Sequence, residues 1–117
     1  MKLEGKAQVL KIYIGSIDKH NHKPMYESIV MEAKNFGILG ATVYRGVLSY
    51  GASSTIHSAK FFELSPDLPI IIELIDTKEK IEKFIKHLTE LFEDDNFGGL
   101  VTTYEIDIVQ HKAHKDK

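Results

Sequence analysis

The segment Pro69–Ile75 constrains the fold more than any other, because it has the pattern of a β-strand that is apolar on both of its faces. Successive side chains of a strand point to opposite faces of its sheet, so Ile71 and Ile75 lie on one face and the other isoleucines lie with Leu74 on the second. Glu73 is the only charged residue of the segment. Large exposed apolar patches are rare on monomers, so we expect both faces of this strand to be covered.

Two helices are predicted from apolar residues spaced at i, i+3, i+4 and i+7. The first runs from about Pro24 to Phe36, where a proline suits the first turn and Gly37 suits the left-handed position after the end. The second runs from Thr77 to Glu93. We expect Asp76 to be its N-cap and Glu79, three residues on, to complete a capping box.

Four strands are predicted from alternating polarity and from β-branched and aromatic residues: Val9–Ile14, Ala41–Leu48, Pro69–Ile75 and Leu100–Val109. The order is β-α-β-β-α-β, which predicts an α+β, ferredoxin-like sandwich with two helices on one face of an antiparallel sheet. Two helices cannot cover both faces. We therefore expect other copies of the chain to bury the second face, the alternative being apolar residues merely scattered on a wet surface.

Composition narrows the class of protein. The chain has 117 residues, enough for one domain, with 15 Lys and Arg against 17 Asp and Glu. This balance argues against nucleic-acid binding, which needs a clustered basic surface. The absence of cysteine excludes disulfides, thiolate catalysis and Cys-ligated zinc. The apolar runs are too short to cross a bilayer and the N-terminus lacks a signal-peptide core, so we expect a cytoplasmic protein.

A long connection, with the loop at residues 49–67, joins the second and third predicted strands. A hairpin needs only two to five residues, and loops beyond about 12–15 residues in a compact domain are usually functional or disordered. We expect this loop to carry a function.

Two glycine-containing turns follow the helices, at Gly37–Val43 and Phe97–Thr102. Glycines expose backbone N–H groups and allow close approach, so such turns can cradle phosphate. We expect both turns at the same end of the sheet. The alternative is that Gly37 is only a helix C-cap and Gly98-Gly99 a chain reversal, because neither stretch matches a Walker or Rossmann fingerprint.

Arg45 lies within a predicted strand and needs water, a carboxylate or a phosphate as partner. An ion pair with Glu73 or Glu105 on a neighbouring strand is the alternative to phosphate binding. His57 lies in the long loop, where contact with a polar ligand, an exposed surface position and a nucleophilic role beside nearby serines all stay open, although no strand-turn-helix elbow supports the last.

The other histidines lack metal-ligand spacing. His111 and His114 belong to a charged C-terminal tail, residues 111–117, which we expect to be frayed and solvated.

The motifs of residues 40–69 and of the turn before the last strand resemble the DUF190 family of PII-like signalling proteins. The resemblance covers residues 7–110 as one domain. It rests on Gly-Ala-Thr-Val-Tyr-Arg-Gly at 40–46, Tyr50-Gly51, His57, Leu-Ser-Pro-Asp-Leu-Pro at 64–69 and Gly-Leu-Val-Thr at 99–102.

This resemblance implies a homotrimer whose sheets pack around a central axis. It also implies nucleotide clefts between neighbouring subunits, formed by the base of the long loop and the turn after the second helix. Gly40 and Thr42 match the positions beside the adenine, and Gly98 and Gly99 lie in the turn around the phosphates. The further candidate nucleotide-binding residues in the matching motifs are Arg45, Tyr50, Gly51, His57, Leu100 and Val101.

The chain departs from the PII pattern where Leu100 replaces the basic residue that follows the phosphate-wrapping turn. Fewer positive charges neutralise a triphosphate less well, so we expect AMP or ADP rather than ATP as the ligand, and no built-in cofactor. The resemblance implies a non-enzymatic regulator whose 49–67 loop docks a partner protein, and a membrane transporter is one class of partner suited to such a regulator. The alternative is a metal-binding protein on the same fold, similar to the CutA cation-tolerance proteins, for which loop or tail histidines would have to converge.

Overall fold

The computed structural model describes residues 5–16, 18–49, 57–58, 69–93 and 99–112. Two helices lie in this part of the chain, α1 (Met25–Phe36) and α2 (Lys78–Leu91). The strands in chain order are β1 (Gly5–Gly15), β2 (Lys19–His20), β3 (Lys23–Pro24), β4 (Gly40–Arg45), β5 (Leu48–Ser49), β6 (His57–Ser58), β7 (Pro69–Asp76) and β8 (Leu100–Ile108).

The four long strands form one antiparallel sheet in the order β4-β7-β1-β8, and two short ladders join β2 to β3 and β5 to β6. This is the ferredoxin-like arrangement that the order of elements predicts, and it is confirmed. The doubly apolar β7 is paired on both sides, with Ile72 opposite Ile12 of β1 and opposite Val43 of β4. A strand that is apolar on both faces thus lies inside the sheet.

The core lies between the two helices and one face of the sheet, which we call the helix-side face. Phe84 of α2 is fully buried, and its ring meets that of Phe36 of α1 edge to face at 5.2 Å between centres. Full burial of a side chain of this size contributes about 1.5–3 kcal/mol. The core residues are Leu10, Ile12, Ile14, Met25, Ile29, Ala33, Ile70, Ile72, Leu74, Ile81, Phe84, Leu88 and Phe92.

The end of α1 follows its prediction. Gly37 has a φ of 84°, in the left-handed region that glycine adopts without strain. Its N–H donates to the carbonyl of Lys34, and the N–H of Ile38 donates to that of Ala33. These two bonds occupy carbonyls that the last turn of a helix otherwise leaves without partners.

The start of α2 differs from its prediction. Thr77, not Asp76, is the N-cap, and its Oγ1 accepts a hydrogen bond from the N–H of Lys80. Asp76 is buried, with 6% of its surface exposed, and its carboxylate accepts from the N–H of Leu39 at 2.9 Å and of Thr77 at 2.7 Å. The expected capping box is absent because Asp76 ties the turn before β4 to the start of α2 instead.

We expect Asp76→Ala to lower the free energy of unfolding by about 2–3 kcal/mol, because it leaves the N–H of Leu39 without its charged acceptor. Urea denaturation measures this loss. The matched control is Glu79→Ala, which removes an exposed carboxylate paired with Lys83 on the same helix and should cost no more than about 1 kcal/mol. Equal losses in the two variants would contradict the assigned role of Asp76.

The second predicted strand is shorter than expected, because β4 ends at Arg45 rather than at Leu48. The N–H of Gly46 donates to the carbonyl of Pro69 at 2.9 Å, and a Cβ at Gly46 would lie 3.1 Å from the ring of Pro69. The chain then continues in the ladder of β5 and β6, where Ser49 is opposite His57. The long connection therefore leaves the sheet at this glycine.

Candidate functional site

The face of the sheet turned away from the helices, which we call the second face, carries the candidates Gly40 and Thr42. They lie on this face because Gly40 is opposite Ile75 and Thr42 is opposite Glu73 in the β4–β7 register. Side chains at paired positions share a face, and the alternate residues of β7 belong to the core. The register defines three rows on the second face that run across all four strands.

The first row is aromatic and apolar, and we call it the aromatic row. It consists of Leu100, Tyr13, Ile71 and Tyr44, one from each strand across the sheet. Leu100 is 50% exposed, Tyr44 42% and Tyr13 37%, and the two tyrosines flank the buried Ile71. Neighbouring large side chains exposed in this way are typical of a surface that another molecule covers.

The second row is polar and consists of Thr102, Lys11, Glu73 and Thr42. Lys11 Nζ lies 3.7 Å from Glu73 Oε2 and 5.6 Å from the centre of the Tyr104 ring. Burial alone would lower the pKa of Lys11. The nearby hydroxyl oxygens of Tyr104, Tyr44 and Tyr13 outweigh this effect and raise the pKa of Lys11 above its ordinary value. Lys11 is therefore a cation at neutral pH, and Glu73 lies between it and Thr42 in this row.

The third row contains Gly40 and borders a cavity of about 300 Å³. Gly40 is on the strand at one edge of the sheet, whereas Ile106 is on the strand at the other edge. Val109, Gln110 and His111 line the cavity together with both, so the residues after β8 lie over this end of the second face. Ala7 and Val9 on the same face are only 2% exposed. The lining residues are Leu39, Gly40, Ile75, Ile106, Ile108, Val109, Gln110 and His111.

His111 differs from its prediction as part of a solvated tail. It lines the cavity, is only partly exposed, and its Nδ1 atom is buried without a hydrogen-bond partner. A buried polar atom left in this way costs about 1–3 kcal/mol, and most such atoms in proteins have a partner. The charged residues around His111 in the sequence gave no sign of this burial.

The two glycine turns lie at opposite ends of the sheet, so the expectation that they share one end is wrong. Gly40 is level with Val9 near the start of β1, whereas Leu100, next to Gly99, is level with Tyr13 near its end. The physical reason is strand direction, because β4 runs parallel to β1 and β8 runs antiparallel to it. Strand spacings of about 4.8 Å and rises of about 3.3 Å per residue separate the turns by about 20 Å.

Arg45 is exposed at the end of β4 that leads to the long connection. It is opposite Ile70 on the helix-side face, whereas Glu73 lies on the second face. Glu105 is paired with Lys6 instead, at 3.3 Å. Within the described residues Arg45 thus has neither of the carboxylate partners considered for it, which leaves its guanidinium open to an anionic ligand.

The remaining candidate nucleotide-binding residues lie at the start of β8, at the base of the long connection, or outside the described residues. Gly99, Leu100 and Val101 are exposed at the start of β8. His57 pairs with Ser49 at the base of the long connection, at the same end of the sheet as Arg45. The other three candidates, Tyr50, Gly51 and Gly98, lie outside the described residues.

Two kinds of feature are absent from the described residues. No three side chains of His, Asp or Glu in that part of the chain are grouped as a metal ion requires. Neither α1 nor α2 has the length and apolarity that crossing a membrane demands.

Comparison with known sequences gives one family. The DUF190 model, described as "Uncharacterized ACR", matches residues 7–108. A UPF0166 protein from Aquifex aeolicus is 31% identical over 104 residues, covering 89% of this chain and 94% of the relative. A UPF0166 protein from Methanocaldococcus jannaschii is 39% identical over 98 residues, covering 84% of this chain and 88% of the relative.

Comparison with solved structures gives one fold. CPII from Thiomonas intermedia K12, a nitrogen regulatory PII-like protein bound to ADP, AMP and bicarbonate, has a TM-score of 0.63 at 18% identity, covering 92% of this chain and 91% of that one. A PII-like signalling protein from Thermus thermophilus has a TM-score of 0.65 at 15% identity, covering 90% and 91%. At these identities the likeness shows the fold alone.

Proposed function

Because the chain belongs to the DUF190 family and has the fold of PII-like signalling proteins, we propose that it is a trimeric, non-enzymatic regulator that binds AMP or ADP between its subunits. One subunit supplies Gly40 and Thr42 beside the base. Its neighbour supplies Gly98 and Gly99 beside the phosphate.

The observation that carries this proposal is the separation of the two glycine turns. They are about 20 Å apart in one chain, which is longer than a mononucleotide. A ligand that contacts both turns must therefore lie where the Gly40 end of one copy meets the Gly99 end of another. A closed ring of identical subunits generates such head-to-tail contacts at every interface.

The second face supports the trimer. Its aromatic row is exposed in the isolated chain, and another subunit would bury it. The polar row gives the same interface a paired Lys11 and Glu73, so these two opposite charges enter the contact together. An interface of this kind needs such pairing, because an unpaired charge is costly to bury.

The charges around the proposed site favour a nucleotide with few phosphates. Arg45 is a cation at the same end of the sheet as Gly99, on the strand at the opposite edge, and Leu100 stands where the resemblance implies a basic residue. A single guanidinium matches one or two phosphates through charge-assisted hydrogen bonds, but it leaves a triphosphate under-neutralised. The adenine nucleotides bound to CPII support this class of ligand.

The signal would pass through the loop at residues 49–67, which begins beside Arg45 and Gly46. A nucleotide held at the base of this loop biases its order, and a loop with two states can dock a partner protein in one of them. A membrane transporter is one class of partner, reached from the cytoplasm.

Isothermal titration of the wild-type protein with AMP, ADP and ATP tests the proposal. We expect about one AMP or ADP per subunit, weaker binding of ATP, and no phosphate release on prolonged incubation. Failure of all three nucleotides to bind would remove the proposed function and leave a module that binds only protein.

Arg45→Ala should weaken AMP and ADP binding by about 1–3 kcal/mol, roughly 5- to 150-fold, because it removes a charge-assisted bond to phosphate. The melting temperature should stay unchanged, since Arg45 makes no ion pair within the described residues. Arg45→Lys, which keeps the charge, should lose less affinity than Arg45→Ala. A lower melting temperature with unchanged affinity would instead give Arg45 a structural role.

A further inference from the structure

The cavity at the Gly40 end of the second face has the size and walls of a small-ligand site. Its volume of about 300 Å³ is at the lower end of the range for such sites, about 300–1,000 Å³. Ile75 comes from β7, Ile106 and Ile108 come from β8, and Leu39 precedes β4. These aliphatic walls suit a flat ring that is largely apolar on its two faces.

Gly40 leaves one side of this cavity open. A Cβ built at Gly40 would meet no atom within 4 Å, and it would lie on the same face as its register partner Ile75. A ligand can therefore reach the backbone at this point, where any larger residue would occupy the space. The glycine is not required by backbone strain, since its φ is not in the left-handed region.

His111 supplies the polar group that such a site needs. Its Nδ1 is the one buried side-chain nitrogen or oxygen without a partner in the described part of the chain. A neutral imidazole can present Nδ1 either as donor or as acceptor, according to its tautomer. Because Nδ1 is closed to solvent in the ligand-free chain, a ligand reaches it only when the His111 ring turns toward the cavity, and a hydrogen bond formed there removes the cost of leaving Nδ1 unpaired.

We infer that His111 reads the edge of the purine base of the bound nucleotide, with the base lying in the cavity under the residues that follow β8. This inference rests on the proposed function, because it presupposes that a purine nucleotide binds. His111 is thus a specificity-determining residue, and the segment Val109–Lys112 is part of the binding site.

The first test fills the cavity. Gly40→Val adds a branched side chain on the cavity side of β4, where the strand geometry accepts it, and should weaken AMP binding by about 30-fold or more. The matched control is Ala41→Val, which introduces the same side chain one position along, at an exposed residue that points to the helix-side face, and it should leave AMP affinity unchanged. Unchanged AMP affinity in Gly40→Val would overturn the placement of the base.

The second test removes the ring nitrogens of His111, including Nδ1. AMP carries an amino group at position 6 of the base and IMP carries a carbonyl oxygen, so their edges differ in donors and acceptors. His111→Phe keeps a ring but removes both nitrogens. It should weaken AMP binding by about tenfold and bring the AMP and IMP affinities closer together, as measured by isothermal titration.

His111→Asn is the conservative variant, because its amide can stand near the position of Nδ1, and it should retain more of the preference for AMP over IMP than His111→Phe does. Equal weakening of AMP and IMP in His111→Phe would make His111 a packing residue and overturn the inference. Wild-type protein that binds no nucleotide would instead remove the proposed function itself. Nucleotide binding that persists unaltered in both His111→Phe and Gly40→Val would leave the proposed function standing and remove only the base-reading role.

Discussion

Tyr13→Asp should convert a trimer of about 40 kDa into monomers of 13.3 kDa. Tyr13 lies in the middle of the aromatic row, between Leu100 and Ile71, and it is exposed enough in the single chain to be replaced without disturbing the core. In the proposed trimer each interface would bury an additional carboxylate beside a Lys11 that is already paired with Glu73, at a cost of about 3–5 kcal/mol per charge. Light scattering at micromolar concentration measures the mass.

Met31→Asp is the matched control for this change. Met31 is also a large exposed apolar residue, but it lies on α1, on the opposite side of the molecule from the second face. The control should remain trimeric. A wild-type protein that is monomeric at micromolar concentration, or a Tyr13→Asp variant that remains a trimer, would contradict burial of the second face between subunits.

Gly99→Val should abolish AMP and ADP binding, with a loss of about 100-fold or more. Phosphate binding at this turn needs backbone N–H groups that the ligand can approach closely, and a branched side chain blocks that approach. Each charge-assisted bond lost costs about 1.5–3 kcal/mol, so two such bonds account for the size of the effect. Gly99 is exposed and precedes β8, so the fold should tolerate the valine.

The matched control for Gly99→Val is Thr103→Val. Isothermal titration compares the AMP affinities of the two variants, and thermal melting compares their stabilities. The control places the same side chain on an exposed position of β8, four residues further along. Both variants should melt near the wild-type temperature, and only Gly99→Val should lose the nucleotide. Normal AMP binding in Gly99→Val would remove the phosphate half of the site.

Local periodicity was sufficient to predict the architecture. The alternation of β7 and the helical spacing of α2 are each encoded within one segment, and Gly37 is fixed by the backbone it must adopt at the end of α1. The N-cap of α2 was not predictable in the same way. Asp76 and Thr77 are adjacent and both are good caps, and the choice depends on a bond from Asp76 to Leu39, 37 residues away in the sequence.

The sequence was sufficient to predict residues of the candidate site, but it did not predict where in the sheet these residues lie. Which end of the sheet receives Gly40 and which receives Gly99 depends on strand direction, a property of the whole sheet that neither turn encodes. His111 was missed because it belongs to a charged stretch of sequence, whereas the cavity that it lines is formed mainly by residues of β4, β7 and β8 that are distant in the sequence or apolar. The unpaired Nδ1 is a signal that only the three-dimensional packing contains.

The shared site is tested most directly by mixing subunits of two inactive variants. Gly40→Val disrupts the base half and Gly99→Val the phosphate half, so neither homotrimer should have sites of wild-type affinity for AMP. After the two are unfolded together in equal amounts and refolded, a cleft between an intact Gly40 and an intact Gly99 reappears at one interface of every mixed ring, which restores about a quarter of the wild-type sites. Titration that finds this fraction supports a nucleotide held between subunits, whereas a mixture that binds no AMP, from variants that still form trimers, would contradict it.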